Sequence, residues 1–553
     1  MKNFYTLIFA VFISVFSADA QVSQQWLQRY DFDGTATSDI ATAMTIDDDG
    51  NVYVTGRGGA LGNTDIITIK YSPAGDMVWT EVWNGPNNSY DGANAITIEG
   101  DFIYVTGYTE DPPLINSNRR KDFATLKYSL GGSFQWAAYY NFSPENNWED
   151  IAYAVDADEQ GNVYVTGSSK DAMPQVGYRD IATIKYNSSG AEQWVARYNH
   201  PDEGGPGTND DVPVALRTDA EGNVYVCGWS VDMNSGIDYV TLKYSNSGED
   251  LWEQRYTMPG SFADTPAAMQ LDENGTVYVT GTSSGFGADT ALKDDYATIK
   301  YATNGDVLWV RRFDSAVTTV ANDAASDLAV DASGNVYVTG DVPSATTFGH
   351  DYYTIKYDAA GTVVWESRWD ALGFEDRPKK MKLDASGNIY ITGFSTNPNG
   401  TMNYATIKLN NSGQFQWSQM YQTDSGSQHL ANDIVVDSNQ DVIVTGQSYF
   451  YGDDYVTIKY SQVLSAESFE GGARAILYPN PVADAAYLTM AGDGAMKSAM
   501  LIDMNGRIIR KWSGSVQGPG GMITLDMQGV SPAFYLLTLE LDSGTSTFKV
   551  CKQ

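Results

Sequence analysis

The sequence predicts an all-β protein built from one four-stranded unit used over and over, and three observations carry that prediction. A short apolar phrase ending in Gly recurs eight times, as VYVTG at 52–56, IYVTG at 103–107, VYVTG at 163–167 and VYVCG at 224–228, then ending at Gly281, Gly340, Gly393 and Gly446. A second phrase follows each one, DYATIKY at 295–301, with relatives ending at Tyr71, Tyr128, Tyr186, Tyr244, Tyr357, Leu409 and Tyr460. Clusters of Gly, Asn, Asp and Ser separate the phrases, and no stretch with the period of a helix competes with them.

Each copy contains four strand-like pieces. In the sixth copy strand A is 326–331, strand B 335–339, strand C 351–357 and strand D 363–369. Val, Ile, Tyr, Thr and Trp fill them, residues that suit a pleated, half-buried surface. The A-to-B link is D-x-x-G-N, as at 331–335, with Gly supplying the left-handed position of a tight turn. C-to-D links are similar, with Gly75, Gly190, Gly248, Gly305, Gly361 and Gly413. An antiparallel unit of this kind, repeated every 51 to 61 residues, meets the requirements of a β-propeller blade.

Strand D carries a Trp, at Trp26, Trp79, Trp136, Trp194, Trp252, Trp309, Trp365 and Trp417. The first precedes every A, B and C strand, and the last copy, ending at Tyr460, lacks a D strand of its own. The expected fold is therefore an eight-bladed β-propeller over 21–460, closed by the N-terminal strand around Trp26. The copies resemble the SBBP family of bacterial β-propeller repeats, carried by D-x-x-G-N-V-Y-V-T-G and D-Y-x-T-I-K-Y. That resemblance implies seven blades, whereas the tryptophans count eight.

Residues 1–20 read as an export signal: Lys2, an apolar run of about 13 residues, then Ala18-Asp19-Ala20 as a small-residue cleavage site. That run is shorter than the roughly 20 residues a spanning helix needs, so no transmembrane helix is expected in the mature chain. Residues 461–475 read as a linker. From 476 to 553 six acidic and six basic residues cancel, which leaves nearly all of the formal charge of −35 on the repeats. Such a charge repels phosphate backbones and excludes nucleic acid as a partner. Two cysteines, Cys227 and Cys551, give neither a disulfide framework nor a metal-ligand spacing.

The tail resembles the type A C-terminal sorting domain of the type IX secretion system. The residues that carry this are Tyr478, Pro479, Asn480 and Pro481, then Asp503, Gly506 and Arg507, then Tyr535, and finally Lys549. Ala533 stands where the family usually has Gly. The resemblance implies a small β-sandwich over 476–553 and recognition by an outer-membrane translocon. It also implies a Gram-negative cell of the Bacteroidetes type, with export through the periplasm to the outer-membrane surface or beyond.

Within a propeller the D-to-A and B-to-C connections share one face. Here they vary in length and chemistry, as at 108–121, 199–210, 282–293 and 449–451, while the opposite turns are nearly uniform. The variable face is the candidate binding face. Strand A opens there with Asp39, Asp91, Asp150, Asp211, Asp264, Asp323 and Asp376, and with His429 in the eighth copy. Strand C opens with Asp65, Asp122, Asp180, Asp238, Asp295, Asp351 and Asp454, and with Asn403 in the seventh. Carboxylates so arranged are candidate Ca²⁺ ligands. They are equally suited to accept backbone N–H groups and fix loops, the reading that recurrence in every copy favours. A Lys recurs at the end of strand C, from Lys70 to Lys459; its stem is expected to pack on Tyr and Trp while its ammonium meets the Asp closing strand A.

His200, His350 and His429 fall in different copies, and no catalytic triad, zinc motif or phosphate loop is evident. The reading is thus a secreted or surface-attached, non-catalytic scaffold that binds a polysaccharide or surface protein. Two alternatives stay open: a hydrolase or lyase acting on extracellular polysaccharide through loop carboxylates, and a structural surface component with no small ligand.

Overall fold

The computed structural model describes residues 21–32, 38–59, 63–111, 120–142, 149–170, 178–200, 210–232, 235–258, 260, 263–286, 292–315, 322–344, 349–371, 374–423, 427–449, 452–463, 475–478, 485–490, 495–503, 507–517, 522–531, 533–541 and 544–552. The export segment at 1–20, residues 464–474 of the expected linker 461–475 and parts of the variable loops lie outside these residues, while 461–463 continue the strand Asp453–Val463 and Ala475 opens the strand Ala475–Tyr478. One compact unit spans Val22–Ser461, and a second contains Gln462–Gln553. Among the described residues no helix is long and apolar enough to cross a membrane.

In the first unit seven copies each form a four-stranded antiparallel sheet in the order A-B-C-D. The eighth sheet combines strands from both ends of the chain. His429–Val436, Val442–Tyr449 and Asp453–Val463 supply A, B and C, and Gln21–Tyr30 lies against the last as the fourth strand. Trp26 on that strand packs in one cluster with Met44, Val54 and Tyr71 of the first copy and with Val435 and Tyr455 of the eighth. Further bonds join these two sheets: Asn432 Nδ2 donates to the Ala41 carbonyl at 2.7 Å, and the Met44 N–H to Asp433 at 2.8 Å.

The sixth copy shows where strand limits differ from expectation. Strand D is Val363–Trp369 as expected, but strand B runs Val336–Pro343, past Gly340, because Asp341, Val342 and Pro343 continue the ladder with Tyr352, Asp351 and His350. Strand A, Ala324–Val330, carries a bulge between Ala325 and Asp327. The same bulge recurs in strand A of every copy, for example between Ala41 and Ala43 and between Ala431 and Asp433. It explains the Gly ending each VYVTG phrase. A Cβ on Gly56 would strike the Ile40 carbonyl, and one on Gly340 the Ala324 carbonyl, so only Gly lets the two strands approach.

The D-x-x-G-N turn is held by its Asp. Asp331 accepts from the Asn335 N–H, from Asn335 Nδ2 and from the Tyr337 hydroxyl, while Gly334 turns with φ of 75°. Neighbouring sheets are then tied by the strand D tryptophans. Each indole N–H reaches across to a carbonyl in the C-to-D turn of the following copy: Trp26 to Pro73, Trp79 to Leu130, Trp136 to Ser188, Trp194 to Asn246, Trp252 to Thr303, Trp309 to Ala359 and Trp365 to Asn411. Trp417 is different, for its Nε1 is buried with no hydrogen-bond partner. The eighth copy has no C-to-D turn to offer, since its fourth strand comes from the start of the chain.

The recurrent Lys meets the expected Tyr and Asp and gains a turn carbonyl of the next copy as its hydrogen-bond partner. Its ammonium lies over the strand B Tyr, as Lys243 does over Tyr225 at 4.6 Å, and donates to the same turn carbonyl as the Trp, Thr303 at 3.2 Å. The Asp closing strand A is a longer contact, 3.9 Å for Lys243 and Asp219, because the Tyr225 hydroxyl and turn N–H groups already occupy that carboxylate. Lys459 makes the expected direct pair, to Asp437 at 2.7 Å.

In the second unit Ala475–Tyr478, Ala485–Met490 and Met522–Asp526 form one sheet, and Ala495–Asp503, Ile508–Gln517, Ala533–Leu541 and Gly544–Lys552 a second. Leu488 and Leu525 of the first sheet share a buried cluster with Leu501, Leu537, Leu539 and Val550 of the second.

Candidate functional site

The strand A openers all perform one local task. Each accepts a backbone N–H from the connection that precedes it: Asp39 from Phe32, Asp91 from Gly85, Asp150 from Phe142, Asp211 from His200, Asp264 from Met258, Asp323 from Ser315 and Asp376 from Ala371. His429 does the same through Nε2, which accepts from the Thr423 N–H at 3.3 Å, while Nδ1 lies 2.8 Å from the Ser448 hydroxyl. Burial, helped by the Arg29 charge, pulls His429 down to about 4, so it stays neutral and keeps an acceptor on the loop. Burial moves the carboxylates the other way, to about 7 for Asp211 and about 6 for Asp39, Asp323 and Asp376.

Strand C openers pair with an arginine that the sequence reading did not single out. Arg197 meets Asp180 at 2.5 Å, Arg255 meets Asp238 at 2.9 Å, Arg312 meets Asp295 at 2.6 Å and Arg368 meets Asp351 at 2.6 Å, and Arg29 pairs with Asp454. All five lie on strand D three residues after the Trp, and W-x-x-R was the available signal. Where Val82 or Tyr139 takes that place, Asp65 and Asp122 lack the partner; Asp65 rises to about 6 through burial and the nearby Asp91, and Asn141 donates to Asp122 instead.

Among the described residues three groups of carboxylates converge, Asp31 with Asp39 and Asp454, Asp295 with Asp314 and Asp323, and Asp351 with Asp370 and Asp376. Within each group the oxygens lie within 4.8 Å of one another. Every group joins a strand C opener, the strand A opener of the next copy, and an Asp directly after strand D. The remaining five openers, Asp91, Asp150, Asp211, Asp264 and His429, belong to none of these groups. The three copies that supply a third Asp share W-x-x-R-aromatic-D, at 26–31, 309–314 and 365–370.

One histidine also gathers partners. His350 Nδ1 lies 3.3 Å from Glu375 and Nε2 lies 3.8 Å from Asp341, with Arg377 3.4 Å from the same Asp341. His200 and His429 are not part of this cluster.

In the second unit Asp503 lies opposite Tyr535 across two strands, and Lys549 opposite Leu536. Tyr535 is buried and its hydroxyl donates to the Ser531 carbonyl at 2.9 Å, while Arg507 is exposed. Tyr478 closes a strand, and Pro479, Asn480, Pro481 and Gly506 lie outside the described residues.

The described residues thus form a run of four-stranded antiparallel sheets and a separate all-β unit. Residues 476–553 match the secretion system C-terminal sorting domain family, and residues 25–62 match the β-propeller repeat family SBBP. The chain therefore carries a sorting-domain tail and a β-propeller repeat, and the tail implies export by the type IX system to the cell surface or extracellular space. A comparison with curated proteins found no match. Among solved structures, Sqt1 of Chaetomium thermophilum is 10% identical with a TM-score of 0.46, covering 80% of this chain and 98% of that one. The polysaccharide lyase Uly1 is 9% identical with a TM-score of 0.41, covering 69% and 91%. The β-propeller domain of the Trilobed protease from Pyrococcus furiosus is 8% identical with a TM-score of 0.39, covering 68% and 97%.

Proposed function

We propose that residues 21–460 form an eight-bladed β-propeller closed by the N-terminal strand, that a linker lies within 461–475, and that 476–553 fold as a β-sandwich read by the type IX translocon. The propeller acts outside the cell as a non-catalytic scaffold that binds a polysaccharide or a surface protein. One observation carries this reading. Most A-to-B and C-to-D turns follow one design, in which the carbonyl of a starting Asp, Asn, Ser or Ala accepts the N–H three residues on, from a residue at positive φ that is Gly in every such turn except Gln440, whereas the connections at the opposite end differ from copy to copy. Loops that differ on a scaffold that does not are the usual location of recognition. A further support is that the strand A openers are engaged in holding those loops, which leaves them poorly placed for general acid or base work.

The test is binding of the mature chain to a polysaccharide and surface-glycan array, with Ca²⁺ and with chelator. Specific retention without turnover of the retained glycan supports the scaffold. Release of reducing ends or unsaturated products from any glycan on the panel overturns it in favour of a hydrolase or lyase, and a blank array points to a protein partner or a structural surface role.

A further inference from the structure

At the junction between the sixth and seventh sheets two buried carboxylates are only partly satisfied, Asp351 by Arg368 and Ser344 and Asp376 by the Ala371 N–H. Asp351 and Asp376 are only 2% and 0% exposed, yet Oδ1 of each has no hydrogen-bond partner. The other oxygen of each is engaged, Asp351 Oδ2 with Arg368 Nε at 2.6 Å and Asp376 Oδ2 with the Ala371 N–H at 2.9 Å. The Ser395 hydroxyl, opposite Asp376 across the strand pair, makes no hydrogen bond of normal geometry to it. Asp370 completes the group from an exposed position, with oxygens of all three residues within 4.8 Å of one another. Desolvated carboxylate oxygens facing a third carboxylate are costly unless a cation or a proton joins them.

We propose that Asp351, Asp370 and Asp376 bind one hard divalent cation, with Ca²⁺ the fitting ion. Three carboxylates less the Arg368 charge leave a local balance of −2, which a divalent ion cancels. All the donors are oxygen, the preference of Ca²⁺, and the exposed edge at Asp370 admits the waters that would complete six to eight ligands. The chain is exported, and extracellular Ca²⁺ sites work at about 10⁻⁴ to 10⁻³ M. Bound there, the ion would tie the end of strand C and the end of strand D in one sheet to the start of strand A in the next. This site is independent of the glycan or protein ligand proposed above.

The test uses the mature full-length chain stripped with chelator. Calorimetric titration with CaCl₂ gives the number of Ca²⁺ bound, and the part of the aromatic-excited Tb³⁺ luminescence that D370N removes reports this site, where Trp369 is the chain neighbour of Asp370. Asp370→Asn changes an exposed side chain and leaves the buried pair intact; Asp101→Asn, exposed on a distant turn, is the control. The expected result is saturable binding by the wild type, a loss of one equivalent in D370N with a lower Tb³⁺ signal displaced by Ca²⁺, and no loss in D101N. Wild-type protein that binds no Ca²⁺ at 10 mM, roughly tenfold above that range, overturns the proposal. So does a D370N variant with unchanged stoichiometry.

Discussion

Trp309 and Trp417 occupy the same place in two copies, and replacing each by Phe should have different costs. Both rings are nearly buried, 8% and 6% exposed, so the packing lost on shrinking indole to phenyl is similar. Their N–H groups differ. Trp309 Nε1 donates to the Ala359 carbonyl at 3.2 Å, whereas Trp417 Nε1 is buried without a partner. In Trp309→Phe that hydrogen bond is lost, at about 1 kcal/mol, and the carbonyl keeps a donor because Lys300 Nζ also reaches it at 3.1 Å. In Trp417→Phe an unsatisfied donor is removed, which returns about 1–3 kcal/mol. W417F should therefore be more stable than W309F by roughly 2–4 kcal/mol. Urea unfolding of the mature chain, followed by far-ultraviolet circular dichroism so that tryptophan emission is not the readout, measures the difference as a shift in midpoint at constant slope. Equal midpoints, or a W417F variant less stable than W309F, would refute the account of the missing eighth turn.

Other consequences follow from comparing copies. Buried hydroxyl pairs such as Thr280 with Thr298 at 2.9 Å join strands B and C, but Cys227 stands in that place in the fourth copy and leaves Thr241 Oγ1 without a partner. Cys227→Thr should stabilise by ~1 kcal/mol, seen as a higher urea midpoint; a lower midpoint counts against the pairing argument. Asp211, held at about 7 chiefly by burial, binds its proton more tightly folded than unfolded. Its contribution to stability is present below about 4, the ordinary carboxylate value, and is lost as pH rises through 7. Asp211→Asn, which keeps an acceptor for the His200 N–H, should flatten the fall in melting temperature between pH 5 and pH 8, about one unit beyond that value on the alkaline side; an unchanged slope assigns the dependence elsewhere. Val82 occupies the strand D position of the pairing arginines, opposite Ile67 as Arg197 is opposite Ala182. Val82→Arg should give Asp65 its counter-charge and add ~1 kcal/mol at pH 7.5, measured by the same unfolding assay; destabilisation would show that the geometry of the other copies does not transfer.

Much of the repeat was legible because its signals are local. The turn Asp, the Gly at positive φ and the alternating apolar strands each act within a few residues, so D-x-x-G-N and the strand phrases could be read directly. The end-to-end sheet was legible for a different reason: counting tryptophans exposed a strand D without its copy and a copy without its strand D. What escaped depends on pairing across strands. The Gly of VYVTG was legible only as the end of a strand phrase, and the bulge in strand A, brought opposite by the register, shows why a Cβ is excluded. The Lys was assigned to the nearest Asp in its own copy, but its bond goes to the next sheet, at a distance in sequence of about sixty residues for Lys243 and Thr303. The W-x-x-R arginines were visible as letters, yet their role depends on strand D lying beside strand C at one register.

Recurrence itself then separates scaffold from specificity. A Trp on strand D is found in all eight copies, its arginine in five, and the following Asp in three. The falling order matches what each does: the Trp joins every sheet to the next, the Arg offsets a buried carboxylate that Asn403 avoids altogether, and the third Asp gathers charge at three junctions only. One step further lie the residues directly after the strand B Gly, Arg57, Tyr108, Ser168, Trp229, Thr282, Asp341, Phe394 and Gln447, which differ in every copy. They sit at one register, each opposite the second residue of strand A, from Ile40 with Arg57 to Leu430 with Gln447. A fixed backbone position that tolerates eight different side chains is one the fold does not constrain. Discrimination between ligands should therefore reside in this row and the loops above it, while the carboxylates beneath hold those loops in place.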